Sequence, residues 1–145
     1  MKILIDADGC PVVNTAVAIA KEFNIKCMII CDTSHIFNND YAEVITVSKG
    51  TDSVDFELVN IAEKGDIVIT QDYGLAAMCL ARNAKPINQN GMIYNENNIE
   101  SLLFARYTAK KIRNSGGHIK GPSKRTSKEN NLFEQNFRKL LVQNV

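Results

Sequence analysis

Short runs of isoleucine and valine alternate with segments of helical pattern, and this alternation restricts the fold more than any other feature of the chain. The runs are "KILI" at 2–5, "CMIIC" at 27–31, "EVITV" at 43–47 and "DIVIT" at 66–70. Continuous apolar runs of this length are typical of strands that are covered on both faces. Candidate helices lie at 11–23, which Pro11 would open, at 53–63 and at 73–83. Strands that alternate with helices predict a three-layer α/β/α sandwich with a central, mostly parallel sheet.

The stretch after residue 84 gives weaker signals for structure. "KPI" at 85–87 and "GMIYN" at 91–95 are consistent with one more short strand or a hairpin. A helix that Asn97 or Asn98 would cap follows, and we expect it to stop at the glycine pair 116–117.

Two further features complete the predicted domain, which we expect to be single and to span residues 1–145. A basic, glycine-rich loop is predicted at 114–126. An amphipathic helix is predicted at 127–143, because apolar side chains recur there at helical spacing: Leu132, Phe133, Phe137, Leu140 and Leu141. We expect this helix to pack on the body of the protein.

Composition favours a soluble globular chain with an uneven distribution of charge. The net charge is +1, but residues 1–100 hold 7 Lys or Arg and 14 Asp or Glu, whereas residues 101–145 hold 10 and 2. No apolar stretch approaches the roughly 20 residues that a bilayer span requires. The N-terminus also lacks the features of a signal peptide. We therefore expect a cytoplasmic protein without a membrane partner, and the sequence leaves its oligomeric state open.

The four cysteines do not form the CxxC or Cys/His patterns that are typical of zinc sites. Cys27 and Cys31 lie inside an apolar run, so we expect them to be buried as small apolar side chains. Cys10 lies beside the first aspartates, and for this thiol a redox or ligand role stays open.

Aspartates follow three of the predicted strands, at the edge where open parallel sheets bind their ligands. These residues are Asp6, Asp8, Asp52, Asp55 and Asp72. Carboxylates that converge without basic partners repel one another unless a cation is present. Hard cations such as Mg²⁺ or Mn²⁺ prefer these oxygen ligands. The sequence therefore predicts a divalent-metal site, and such sites can support phosphodiester hydrolysis.

Each aspartate also has a purely structural alternative. Asp52 or Thr51 could cap the second helix, and Asp55 could then complete a capping box. Asp72 could cap the third helix, and Asp8 could form a turn with Gly9. The sequence leaves these alternatives open for each residue taken singly.

Four stretches of the chain resemble the YaiI/YqxD family of uncharacterised bacterial proteins. They are "DADGCPV", "GTDSVDFELVNIAEKGDIVITQDYGLA", "NGMIYNENNI" and "SGGHIKGP". More distantly, the pattern is similar to PIN-like and NYN nuclease domains. In that resemblance Asp6 matches the aspartate after the first strand, Asp52 and Asp55 match the acids at the start of a central helix, and Asp72 matches the aspartate after a later strand. Asp8 has no counterpart in the nuclease pattern.

The nuclease resemblance implies metal-dependent cleavage of RNA or of structure-specific DNA, and we expect RNA rather than DNA as the substrate. We accordingly predict Asp6, Asp52, Asp55 and Asp72 as catalytic residues and metal ligands. Asp8 is predicted to be a further ligand with a supporting role, and His35 to support the reaction as a proton carrier or phosphate contact.

A second interpretation is a phosphatase of the haloacid dehalogenase type, because "ILIDADGCPV" resembles the opening strand and DxD motif of that superfamily. Asp6 would then be the nucleophile and Asp8 the general acid, with Thr33 or Ser34 as the phosphate contact. The spacing of the later acids fits that pattern poorly. A third interpretation is a nucleic-acid-binding module without catalysis.

The basic segment near the C-terminus is the candidate surface for a nucleic-acid partner. From Ser101 to Lys128 the chain carries eight Lys or Arg residues and no Asp or Glu. Such a segment can neutralise phosphates with little dependence on base sequence. The predicted substrate contacts are Arg113, Lys120, Lys124 and Arg125.

Overall fold

The computed structural model of the chain describes residues 1–50, 52–119, 121 and 123–144. It contains five strands and five helices within these residues. The strands are β1 (Ile3–Asp6), β2 (Cys27–Asp32), β3 (Glu43–Val47), β4 (Ile67–Ile69) and β5 (Lys85–Ile87). The helices are α1 (Val13–Glu22), α2 (Ser53–Ile61), α3 (Tyr73–Ala81), α4 (Glu96–Asn114) and α5 (Ser127–Asn144). None of the described helices combines the length and apolar character needed to cross a bilayer.

All five strands form one parallel sheet in the order β3-β2-β1-β4-β5. The central strand β1 pairs with β2 on one side and with β4 on the other, and Ile5 lies opposite both Ile29 and Ile69. The chain runs outward from β1 through β2 to β3, then returns through α2 to place β4 on the far side of β1. The order of the strands therefore reverses between β1 and β4, which is the position at which sheets of this kind bind ligands.

Alternation along the strands separates the core into two layers, as the predicted sandwich requires. Ile3 and Ile5 of β1 pack with α1 and α5, together with Phe133 and Phe137. Leu4 faces the other side, where it packs with α2 and α3. Because side chains two apart in a strand share a face, Asp6 lies on the same side of the sheet as Leu4. The last residue of β1 is thereby directed toward α2 and α3.

The C-terminal helix α5 docks on the α1 side of the sheet, as its apolar spacing predicts. Phe133 and Phe137 stack with their ring centroids 5.2 Å apart, and both side chains are fully buried. Leu140 and Leu141 are buried beside them. Leu132 belongs to the same sequence pattern but is 45% exposed, because it lies away from the buried face of the helix.

Three local expectations were wrong. The strand β3 is not covered on both faces, because it is an edge strand and Glu43 and Thr46 are exposed. The first helix begins at Val13 rather than at Pro11. The cap of α4 is Asn95, whose side chain accepts hydrogen bonds from the backbone N–H groups of Asn97 and Asn98. The short strand expected after residue 84 is present as β5, formed by "KPI", and "GMIYN" adds one antiparallel bridge to it, from Ile93 to Ile87.

Gly91 is a contact point between α5 and the turn that follows β5. Its φ is +87°, and an added Cβ would lie 2.7 Å from the carbonyl oxygen of Leu132 and 3.0 Å from the side-chain nitrogen of Asn136. The Asn136 amide also donates to the carbonyl of Gly91 over 2.9 Å. We expect Gly91→Ala to lower the free energy of unfolding by about 2 kcal/mol or more, through left-handed strain and loss of close packing.

Gly65→Ala is the matched control, because Gly65 has a φ of +86° but nothing within 4 Å of an added Cβ. Urea denaturation of both variants separates the cost of the backbone conformation from the cost of displacing α5. Equal destabilisation by the two substitutions would contradict the close approach of α5 at Gly91.

Candidate functional site

An acidic cleft lies at the carboxyl ends of β1 and β4, beside the point at which the strand order reverses. Its volume is about 420 Å³. Eight side chains line it: Asp6, Asp8, Asp52, Asp55, Gln71, Asp72, Tyr73 and Arg106. All five aspartates selected from the sequence therefore meet at one edge of the sheet. Gln71, Tyr73 and Arg106 were not among the predicted site residues.

Asp6 forms the floor of the cleft and is 7% exposed. Its Oδ2 accepts a hydrogen bond of 2.8 Å from the hydroxyl of Thr70. The same hydroxyl accepts a 3.0 Å bond from the backbone N–H of Asp72. Thr70 therefore links the aspartate that ends β1 to the loop after β4, and it fixes the relative positions of these two acids.

Asp72 caps α3, so its structural alternative is confirmed. Its Oδ1 accepts from the backbone N–H groups of Gly74 at 2.8 Å and Leu75 at 3.2 Å. A guanidinium nitrogen of Arg106 lies 3.4 Å from the same oxygen. Because these contacts use a single oxygen, the other oxygen of Asp72 remains available to the cleft. Capping and a role in the site are compatible at this residue.

Asp52 precedes α2 without capping it. It has a left-handed backbone, with φ 61° and ψ 13°, and its side chain makes no capping hydrogen bond within the described part of the chain. A non-glycine residue in this conformation is uncommon and is found disproportionately at functional sites. Asp55 lies one turn further on and is half-buried. Thr51, the other candidate cap, lies outside the described residues.

Two of the clustered carboxyl groups have perturbed acidities. Burial raises the pKa of Asp6 to about 6; the hydrogen bond from Thr70 opposes this rise, and the charges of Asp72 and Asp8 add to it. Burial also raises the pKa of Asp55 to about 7, and the charges of Asp72, Asp6 and Asp52 and a hydrogen bond with Asp72 act in the same direction. In the absence of a cation, the cleft therefore opposes ionisation of both groups.

These raised pKa values predict that the metal-free protein loses stability as the pH rises. Below about pH 3 both carboxyl groups are protonated in the folded and the unfolded chain, so they do not change the free energy of unfolding. As the pH rises, the unfolded chain releases these protons first, and the free energy of unfolding falls. The fall is complete above the folded pKa values of about 6 and 7. For Asp6 alone, a shift of about two units corresponds to roughly 2 to 3 kcal/mol.

Urea denaturation in EDTA from pH 4 to pH 8 measures this effect. We expect Asp55→Asn to flatten the decline and to raise the stability at pH 8 above that of the wild type. The exposed carboxylate Asp40 provides a charge-matched control through Asp40→Asn. If Asp55→Asn were less stable than the wild type at pH 8, the ionised Asp55 carboxylate would stabilise the fold, which would contradict this account.

Asp8 lies in the turn that the sequence predicts, where Gly9 has a φ of 65° and the N–H of Cys10 donates to the carbonyl of Ala7. The Asp8 side chain is 63% exposed, and its Oδ1 lies 3.8 Å from Nδ1 of His35. The same nitrogen lies 3.6 Å from Oδ1 of Asp32, the last residue of β2. His35 thus lies between two carboxylates, but it is not among the side chains that line the cleft.

Asp32 was missed at the sequence level because "CD" after an apolar run does not repeat the DxD pattern. Its carboxylate accepts from both the hydroxyl and the backbone N–H of Ser34, and these bonds lower its pKa. Ser34 is engaged with Asp32 and neither it nor Thr33 is among the side chains that line the cleft.

The predicted phosphate contacts occupy different surroundings. Arg125 is engaged within the protein, because its guanidinium donates to the carbonyl of Gln89 and to the side chains of Asn90 and Asn130. Lys124 and Arg113 are exposed, and Lys120 lies outside the described residues. None of the three described residues lines the acidic cleft. The basic residue that does so is Arg106.

The donor set of the cleft consists of carboxylate oxygens, which suits a hard divalent cation and not a thiophilic one. In the described residues, however, no three His, Cys, Asp or Glu side chains already form a ligand cage. The chemistry of the cleft thus fits the predicted Mg²⁺ or Mn²⁺, while the side chains would have to turn inward to coordinate it.

Fold and cleft together define an α/β protein with an acidic site at the switch point of a parallel sheet. The family model described as "Uncharacterized BCR, YaiI/YqxD family" matches residues 4–143. The chain therefore belongs to the YaiI/YqxD family, and the resemblance inferred from its motifs is confirmed.

The curated relatives match this chain over nearly their full length. A UPF0178 protein of Clostridium acetobutylicum is 46% identical over 144 residues, which cover 98% of this chain and 97% of that protein. A UPF0178 protein of Exiguobacterium sibiricum is 48% identical over 143 residues, covering 99% and 98%. A third, from Ruminiclostridium cellulolyticum, is 49% identical over 135 residues, covering 93% and 88%. No solved structure matches the chain.

Proposed function

We propose that this protein is a divalent-metal-dependent nuclease that hydrolyses phosphodiester bonds, in RNA more readily than in DNA. The observation that carries the proposal is the meeting of carboxylates from three separate elements in one cleft. Asp6 ends β1, Asp52 and Asp55 begin α2, and Asp72 begins α3. Their only basic neighbour among the side chains that line the cleft is Arg106. The distant resemblance to PIN-like nucleases, which rests on the same four aspartates, agrees with the proposal.

The side chains divide the work of such a site. Asp6 and Asp72, which Thr70 holds in a fixed relation, would be the principal ligands for Mg²⁺ or Mn²⁺. Asp55 faces the same space and would accept a proton from an attacking water. A bound divalent cation would supply the Lewis acidity and the positive charge that an anionic phosphodiester requires.

Other residues hold the substrate and the leaving group. Arg106 lies at the wall of the cleft and is 58% exposed, so it can reach a phosphate without leaving Asp72. His35 lies beside Asp8 outside the lining of the cleft, and it would support the reaction as a proton carrier or phosphate contact. Asp52, Asp55 and Asp8 remain available as additional ligands.

The proposal is tested by incubating the purified protein with labelled single-stranded RNA and DNA in Mg²⁺, in Mn²⁺ and in EDTA. We expect shortened products only with metal, and a higher rate on RNA. Bis(p-nitrophenyl) phosphate serves as a diester without bases, and p-nitrophenyl phosphate as a monoester. Absence of cleavage of every diester under all metal conditions would refute the nuclease.

The assay with p-nitrophenyl phosphate also tests the phosphatase interpretation. Hydrolysis of p-nitrophenyl phosphate alone, lost in Asp6→Asn, would favour that class. The geometry supports it less well, because Asp6 is almost fully buried and the cleft receives no contribution from Thr33 or Ser34. Binding of RNA without hydrolysis would instead favour the module without catalysis.

A further inference from the structure

We propose that a groove between α2 and α3 holds one unpaired base of the nucleic-acid substrate, stacked on the ring of Phe56. This inference rests on the proposed function and specifies the strand state of its substrate. It assigns a binding role to an exposed aromatic residue that the cleft itself does not use.

The groove is continuous with the acidic cleft. It has a volume of about 400 Å³, and four of its lining residues also line the cleft: Asp52, Asp55, Asp72 and Arg106. Its remaining lining residues are Phe56, Gly74, Leu75 and Met78. A ligand that reached from one space to the other would therefore present one polar, charged part and one apolar part. A nucleotide has this character, because its phosphate is anionic and its base is flat and largely apolar.

Phe56 is exposed in a position that packing does not explain. Its side chain is 62% exposed on α2, and Met78 on the facing helix α3 is 38% exposed. Phe56 directly follows Asp55 in the first turn of α2, and both side chains line the groove. An aromatic ring beside the acids can stack a base while the adjoining phosphate lies in the cleft.

The charge around the groove also favours a strand of nucleic acid. Arg106 closes one side of the groove, and Lys110 and Arg113 follow it at i+4 and i+7, which places the three cations on one face of α4. This row leads away from the cleft along the helix. It can hold the phosphates that precede or follow the stacked base.

A second copy of the chain is a poorer occupant. Stable interfaces bury roughly 800 Å² on each partner, whereas the apolar lining of this groove consists of few side chains. In a two-fold arrangement the same acids, Asp52 and Asp55, would also approach their own copies. A base needs only a small apolar surface, and because it carries no charge it is not repelled by the acids.

The groove also explains why the strand should be unpaired. Both faces of a base in a duplex are covered by its neighbours, so its ring can meet Phe56 only after leaving the stack. We therefore expect the protein to prefer single-stranded segments over duplex of the same sequence.

The test measures binding separately from cleavage. Short RNA oligonucleotides carrying one 2-aminopurine report stacking through loss of fluorescence, and the same oligonucleotides with an abasic position lack the stacking partner. In Ca²⁺, a hard cation that takes oxygen ligands in place of Mg²⁺ and avoids cleavage during the measurement, we expect Phe56→Ala to weaken binding about five- to twentyfold, in the lower part of the range for base–aromatic stacking. Phe56→Trp should retain binding, since it preserves the aromatic face.

Phe104→Ala is the matched control, because Phe104 is 70% exposed on α4 and does not line the groove. It should leave both the binding and the preference for single strands unchanged. The abasic oligonucleotide should bind the wild type as weakly as Phe56→Ala binds the intact one, and Phe56→Ala should show no further loss with it.

The outcomes separate this inference from the nuclease proposal. Stacking on Phe56 without cleavage by the wild type would support the groove and refute the nuclease. Cleavage that is equal in the wild type and Phe56→Ala, with equal binding, would refute the groove alone. No binding of single strands by the wild type would overturn the inference. So would a loss of self-association in Phe56→Ala with unchanged RNA binding, because the groove would then be an interface between copies.

Discussion

Asp6→Asn is expected to lower metal-dependent phosphodiester hydrolysis by at least about 100-fold while leaving the fold intact. The asparagine carbonyl can still accept the hydrogen bond from Thr70, so the link between β1 and the loop after β4 survives. The substitution removes the negative charge from the floor of the cleft. Loss of a residue that only orients a metal ligand costs about 10- to 100-fold, so loss of a ligand itself should cost at least as much.

The rate is measured with a labelled RNA and with bis(p-nitrophenyl) phosphate, so that effects on the reaction are distinguished from effects on base binding. Asp40→Asn removes one charge from an exposed position away from the cleft and should retain the wild-type rate. A rate for Asp6→Asn within a factor of about three of the wild type would exclude a catalytic role for this carboxylate.

Asp66→Ala is expected to destabilise the protein by about 3 kcal/mol or more without changing the chemistry of the cleft. Asp66 is 3% exposed and lies just before β4, at the edge of the sheet opposite the cleft. Its carboxylate accepts from the ammonium group of Lys2 at 2.5 Å and from the backbone N–H groups of Lys2 at 3.0 Å and Glu63 at 2.8 Å. Removal of this carboxylate leaves the two backbone N–H groups unsatisfied, and among the described residues Lys2 keeps only its contact with the exposed carboxylate of Glu63 at 3.4 Å.

Asp66 and Asp6 thus illustrate two kinds of buried carboxylate in one fold. Asp66 has a cation and two backbone donors, whereas Asp6 has the hydroxyl of Thr70, a backbone hydrogen bond at Asp8 and acidic neighbours. Thermal and urea denaturation should show the loss for Asp66→Ala, and activity per folded molecule should be unchanged. A destabilisation below about 1 kcal/mol would mean that water replaces the lost partners at this edge.

Most of the framework could be predicted from the sequence because it depends on local patterns. Apolar runs predicted the strands, and apolar side chains at helical spacing predicted the docking of α5. The exposure of β3 could not be predicted, since the composition of "EVITV" does not state whether the strand lies at the centre or the edge of a sheet. The cap of α4 was misplaced by two or three residues because several asparagines compete for it, and it is Asn95 that has extended backbone geometry.

Part of the candidate site could also be predicted from local sequence patterns. Strand ends are local features, and the topology of a parallel sheet brings them together, so Asp6 and Asp72 could be expected to meet. Arg106 could not be assigned, because its contact with Asp72 spans 34 residues and depends on how α4 packs on α3. The engagement of Arg125 with the turn at Gln89 and Asn90 is equally a matter of tertiary packing.

The exposed ring of Phe56 shows a further limit of local patterns. In the sequence it lies between Asp55 and Glu57 in a segment with many apolar residues, which suggests an ordinary helix. Only the packing of α2 beside α3 shows that this ring faces the groove rather than the core. Its proposed role therefore arises from the structure.

The measurement that tests the central claim most directly is thermal denaturation of the wild type during titration with Mn²⁺ or Mg²⁺. A cation that binds only the folded protein stabilises it by about 2.7 kcal/mol at one hundred times its Kd. In a chain of this size that corresponds to a rise in Tm of roughly 5 to 10 °C. The variant with both Asp6→Asn and Asp72→Asn should show no rise, although the asparagine side chain introduced by the second substitution can still cap α3. Equal Tm values with and without metal in the wild type, or equal rises in both proteins, would contradict a metal site in the acidic cleft.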